Sequence, residues 1–121
     1  MAGHLKEGGG WRLGWNPDAT VFKGLVGGDR WALEMTSVEF EDFCRLTLQL
    51  ADMLRTMTSE LMDGERLVCE QETEHIWVEI EGYPHRYSLR FILLTGRNAE
   101  GGWPDTVTAE LVPIIPSLTL F

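Results

Sequence analysis

The spacing of apolar residues changes period along the chain. From Phe40 onward, Phe43, Thr47, Leu50, Leu54, Met57 and Leu61 follow at steps of three and four. That spacing lines one face of a helix. Leu46 and Met53 widen the stripe on one side, Cys44 and Ala51 on the other. Glu41, Asp42, Arg45, Gln49, Asp52, Arg55, Ser59 and Glu60 fall on the opposite, polar face. Thr36 with Glu39 has the form of a capping box, and Met35 with Phe40 that of a hydrophobic staple. Gly64 suits a left-handed helix stop. The pattern predicts one long helix over residues 36–63.

On both sides of the helix the period falls to two, the alternation of half-buried strands. Before it, Trp11–Trp15, Val21–Val26 and Trp31–Met35 read as strands. They are separated by turn chemistry at Asn16-Pro17-Asp18 and Gly27-Gly28-Asp29-Arg30. After it come Arg66–Glu72, His75–Glu81 and Arg86–Thr95. In His75–Glu81, Ile76, Val78 and Ile80 face inward and Trp77, Glu79 and Glu81 outward. Arg86–Thr95 is apolar on both faces over its second half, which predicts a strand covered on both sides. Gly96–Pro104 reads as a polar loop holding Trp103. Asp105–Val112 has helical spacing, and Pro113 and Pro116 limit its length. Residues 1–10, with three glycines in a row, read as a mobile arm. About six strands in hairpins around one long helix, with a short C-terminal helix, make an α+β fold with an antiparallel sheet. At 121 residues the chain is expected to be one domain, 1–121.

Charge changes the picture more than composition does. The formal net charge is −9, and it is not spread evenly. Residues 36–81 hold three Arg against twelve Asp or Glu, while the segments on either side are balanced. A protein that grips many phosphates needs clustered cations, and the sequence contains no such cluster. The N-terminus has no apolar leader and no run is long enough to span a membrane, so a cytoplasmic location without membrane contact is expected. The two cysteines, Cys44 and Cys69, have no disulfide or metal spacing.

Catalytic chemistry finds no support. His4, His75 and His85 have no partner at ligand spacing, and Glu72, Glu74 and His75 together are better read as a solvated hairpin end than as a metal site. Gly24, Gly27 and Gly28 do not lead from a strand into a helix, so they are not a phosphate loop. No serine has nucleophile-elbow surroundings. No enzyme activity, cofactor or metal is therefore expected. The candidates for binding are Trp11, Arg12, Trp15, Lys23, Trp31, Arg86 and Arg90, aromatic and cationic residues on predicted strands that could stack single-stranded bases. Leu46, Met53, Ile114, Leu118 and Phe121 are candidates for a two-fold interface, because they extend beyond what one short sheet covers.

The strings GWRLGWNPDA, FKGLVGGDRWALEMT, FEDFCRL, SELMDGERLVCE, WVEIEGYPHRYSLRFIL and GGWP closely resemble a family of small cyanobacterial proteins known only as a domain of unknown function. The resemblance runs over nearly the whole chain. It implies a curved antiparallel sheet packed with a helix, as in the Whirly-like single-stranded-DNA-binding transcriptional regulators, and pairing of chains as homodimers. On this footing the chain is expected to be a non-enzymatic binding protein. Its net charge opposes single-stranded nucleic acid as the ligand. The alternative is an acidic module for protein–protein interaction.

Overall fold

The computed structural model describes residues 4–58 and 65–118. The described residues form two four-stranded antiparallel sheets, each followed by a helix. The first sheet is the meander β1 (His4–Gly8), β2 (Trp11–Trp15), β3 (Gly24–Gly27) and β4 (Ala32–Met35), and helix α1 (Ser37–Thr58) follows it. The second is the meander β5 (Leu67–Glu72), β6 (Ile76–Tyr83), β7 (Arg86–Leu93) and β8 (Glu100–Trp103), followed by α2 (Asp105–Ile114) and a 3-10 turn, Ile115–Ser117. The α+β class with antiparallel pairing agrees with the sequence. The single six-stranded sheet does not: the described residues form eight strands in two sheets.

Two strands escaped the pattern for different reasons. β1 is a polar, exposed segment in which Leu5 points to solvent at 62% exposure, so it carries no alternation to read. His4–Gly8, expected within a mobile arm, pairs along its whole length with β2. β8 lies in the expected polar loop and has Gly101 and Gly102 at its centre, which weigh against a strand by propensity. Packing requires both. A Cβ on Gly101 would stand 2.7 Å from the Trp31 ring, and one on Gly102 would stand 2.7 Å from the Leu89 carbonyl oxygen.

The capping box at the start of α1 forms as expected. The Thr36 amide donates to Glu39 Oε1 at 2.8 Å and the Glu39 amide to Thr36 Oγ1 at 3.3 Å. Phe40, Phe43, Leu50 and Leu54 are fully buried along the predicted stripe, with Thr47 among them. Met57, at the end of the stripe, is 38% exposed. Residues 59–63 of the expected helix, and Gly64, lie outside the described residues. α1 packs on β5, β6 and β7 of the second sheet and on β3 and β4 of the first. Where the sheets meet, Trp31, Phe43, Phe91 and Trp103 form a chain of ring contacts with centroids 5.3–6.2 Å apart. There Trp103 Nε1 donates to the Gly27 carbonyl at 2.9 Å, tying the end of β3 to β8.

β7 is internal to its sheet but is covered on one face only. Tyr87, Leu89, Phe91 and Leu93 are buried, whereas Arg90 is exposed and Ser88 and Ile92 are half-buried. The expectation of cover on both sides is thus corrected: α1 and α2 lie on the inner face, and no described element covers the outer one. α2 runs past Val112, the expected end, to Ile114 with Pro113 inside it. A proline in the last turn removes one backbone donor only, which a helix end tolerates better than its middle does.

Candidate interaction face

The open outer face of the second sheet follows from strict alternation along its strands. β5 turns Val68, Glu70 and Glu72 outward; β6 turns Trp77, Glu79, Glu81 and, at its end, Tyr83 outward; β7 contributes Arg86, Ser88, Arg90 and Ile92; and β8 contributes Glu100. Strand register fixes their neighbours. Val68 stands opposite Glu81, Glu70 opposite Glu79 and Glu72 opposite Trp77. Across the next pair, Glu79 faces Arg90 and Trp77 faces Ile92. Five carboxylates therefore share one face with two arginines, Arg90 in its interior and Arg86 at its end, interleaved with Val68, Trp77 and Ile92.

The Arg90 guanidinium lies 5.0 Å above the centre of the Trp77 ring and 4.0 Å from Glu79. At one margin Arg66 donates to Glu81 at 2.9 Å. Arg90 stands beside Glu79, and Glu70 has no ion pair of its own among the described residues. Like charges directly opposite one another across a strand pair are destabilising.

The nucleic-acid candidates are dispersed. Trp11 and Trp15 are buried, Trp11 donating Nε1 to Glu110 at 2.9 Å and Trp15 stacking on Phe40. Trp31 is half-buried against Phe91 and Trp103. Arg12 is turned onto the backbone, its guanidinium donating to the Trp31 carbonyl at 2.9 Å and the Gly28 carbonyl at 3.3 Å. Lys23 is half-buried near the end of the first sheet. Arg86 and Arg90 are on the second sheet, Arg86 paired with Asp105 at 3.1 Å. The three tryptophans face the core, and the four cations do not converge on one surface. Of the interface candidates, Leu46 and Leu118 are buried within the chain and Met53 and Ile114 are half-buried; Phe121 lies outside the described residues.

Two polar networks lie at the start of α1, around Glu39 and Asp42. Glu39, fully buried, accepts from Thr36, from the Thr95 hydroxyl and from Arg97 at 2.6 Å. Burial alone would raise its pKa. The bonds from Thr95 and the Thr36 amide and the charge of Arg97 outweigh burial and hold the carboxyl below its usual value. Asp42 Oδ2 receives the Thr73 hydroxyl at 2.8 Å and lies 2.9 Å from His75 Nδ1, while its Oδ1 pairs with Arg45 at 3.0 Å. It too is lowered, its hydrogen bonds to His75, Thr73 and Arg45 overcoming burial. Sequence spacing could not place Asp42 beside His75. The pair forms because the tight β5–β6 turn packs against the first turns of α1.

A family model described as a domain of unknown function, DUF1818, matches residues 6–118. The chain belongs to this family. It is similar to a crystal structure described as a protein of unknown function from the DUF155 family of Prochlorococcus sp. NATL2A. The two share 30% identity over 96% of this chain and 98% of that one, with a TM-score of 0.87. The family descriptions differ, but both name a protein without an assigned activity. A comparison with curated proteins gives no match.

Elsewhere on this DUF1818 chain, α1 borders two grooves that share Leu48 and Pro116. One, about 380 Å³, lies between α1 and α2 and is lined by Ala51, Arg55, His85, Tyr87 and Val112. The other, about 570 Å³, is lined by Cys44, Arg45, Gln49, Ile115 and Leu118. Burial pushes the Cys44 and Cys69 thiols up, away from the reactive thiolate. Among the described residues, no three His, Cys, Asp or Glu side chains are grouped to hold a metal ion. No helix there is long and apolar enough to cross a membrane.

Proposed function

We propose that this protein is a non-enzymatic interaction module that docks a basic protein partner on the outer face of β5–β8. The observation that carries this reading is the composition of that face: Glu70, Glu72, Glu79, Glu81 and Glu100 around Trp77, Val68 and Ile92. The carboxylates attract cations at long range and select against acidic partners. The apolar residues between them supply area whose burial stabilises a complex. The fold analogy to the single-stranded-DNA-binding regulators rests on antiparallel sheets packed with a long helix. We carry it forward as architecture. A DNA strand laid on this face would meet five carboxylates, Trp77 is already covered by Arg90, and the candidates Trp11, Trp15 and Trp31 are engaged with the core.

Fluorescence anisotropy with a labelled lysine-rich peptide tests the reading. Glu70→Gln/Glu79→Gln should weaken binding about tenfold. Glu41→Gln/Asp52→Asn, an equal charge change on the polar face of α1, should change it less than about twofold. A labelled single DNA strand at low salt should not bind. Equal losses in the two variants, or salt-sensitive DNA binding, would overturn the assignment.

A further inference from the structure

We infer that the basic partner binds in extended conformation, adding a fifth strand to the free edge of β5; this rests on the reading of the outer face as a docking surface. β5 is an edge strand of its sheet and, at six residues, the longest of the four edge strands. The phase of its hydrogen bonding follows from the turn that joins it to β6. The Thr73 amide bonds the Ile76 carbonyl at 2.9 Å, so Thr73 and Ile76 are a hydrogen-bonded pair. Hydrogen-bonded and non-bonded pairs alternate along an antiparallel ladder. Gln71, Cys69 and Leu67 therefore bond to Val78, Ile80 and Gly82, and Glu72, Glu70 and Val68 do not bond to β6. The Leu94 amide bonds the His75 carbonyl at 2.8 Å, which puts the β6–β7 ladder in the matching phase.

The backbone groups of Val68, Glu70 and Glu72 thus point to the free edge, where among the described residues they meet no backbone partner. The same three residues turn their side chains to the outer face. An incoming antiparallel strand would bond to Glu70 and Glu72 and bring its own side chains directly opposite theirs.

Exposed edges invite pairing with any strand, and charge is one of the devices that restrict it. Here the restriction is selective. A second β5 laid against the first would bring glutamates against glutamates. A strand with Lys or Arg at alternate positions would place each cation opposite Glu70 or Glu72. The residues between would turn toward the end of α1, where Met57 is 38% exposed and its Sδ stands 3.9 Å from Cys69 Sγ. Methionine adapts to varied apolar side chains. The partner segment inferred is therefore extended, with cationic and apolar residues alternating. This is strand addition, with backbone bonds giving affinity and alternate side chains giving specificity.

The probe is a labelled peptide of alternating lysine and valine, compared with the same peptide N-methylated at alternate backbone amides. N-methylation keeps the charge and removes the ladder. It should weaken binding by about tenfold or more, and Val68→Pro, which removes one edge donor and keeps every glutamate, should act in the same direction. In the parent complex the amides of Val68, Glu70 and Glu72 should exchange more slowly with solvent, and those of Cys69 and Gln71, already bonded to β6, should not change. Equal binding of the two peptides with unchanged exchange would overturn strand addition and leave the docking face standing. Absence of binding, or binding indifferent to Glu70→Gln/Glu72→Gln, would overturn both. Should Val68→Pro fail to fold by circular dichroism, the N-methylated peptide and the exchange pattern decide the matter.

Discussion

Glu39 is a buried carboxylate whose every oxygen is engaged. Its side chain is 2% exposed, while its partner Arg97 is 30% exposed and lies over the Phe22 ring. Replacing it with glutamine keeps the shape and leaves Arg97 uncompensated. With the partly exposed arginine screened by water, the expected cost is about 1–3 kcal/mol in a denaturant melt. Because the folded state holds this carboxyl below its ordinary value of 4.5, the unfolded chain binds more protons as pH approaches that value. The stabilisation is complete above the unfolded pKa and is lost as pH falls through the folded one. Unfolding free energy of the parent protein should therefore decline as pH falls through the ordinary value of 4.5 and below it, and Glu39→Gln should flatten that slope. A residual slope is expected from Asp42, which is lowered in the same direction. Identical pH profiles for parent and variant would refute the assignment.

α1 is the element on which both sheets depend. Leu50 and Leu54 are fully buried on it, and truncation of each to alanine should cost about 2–5 kcal/mol through lost burial and the cavity left behind. Gln49 is exposed on the opposite face, and Gln49→Ala should stay within about 0.5 kcal/mol of the parent. Chemical denaturation of the three variants measures the contrast; equal small losses would remove α1 from this role. At the same scale, β5–β6 shows how an element can be stable and still carry an unfavourable pair. Cys69, Ile76, Val78 and Ile80 are buried on its inner face, while Glu70 and Glu79 repel on its outer one.

For the molecule as a whole, the layout of the charges says more than the net charge of −9. Most described arginines are neutralised locally, by Asp42, Asp52, Glu81, Asp105, Glu79 and Glu39. The excess acid collects on the outer face of the second sheet and along α1. Self-association is the property most changed by the fold. The expected two-fold interface drew on Leu46 and Leu118, which one chain already buries, leaving half-buried Met53 and Ile114 and the grooves beside Leu48. Sedimentation across a hundredfold dilution series should give a mass that falls to one chain, 13.7 kDa, at low micromolar concentration. A dimer mass that persists would place a strong interface on those grooves.

Local chemistry was enough to specify α1 with its capping box, β2, β5, β6 and β7 as strands, the inward face of β6 and the start of α2. In each of these, propensity, period and cap agree. It was not enough for β1, whose exposed residues carry no period, or for β8, whose glycines answer to Trp31 and Leu89 from elsewhere in the chain. The division into two sheets is also a tertiary decision, because alternation says which face a residue takes and not which strand it pairs with. The acidic face proposed for docking was half legible. Glu79 and Glu81 read as outward, and the excess of acid over residues 36–81 was plain. That Glu70 meets Glu79, that Arg90 lies over Trp77, and that the backbone at Glu70 and Glu72 opens to a free edge depend on register between strands. Register is set where distant segments share one core, and a local pattern does not contain it.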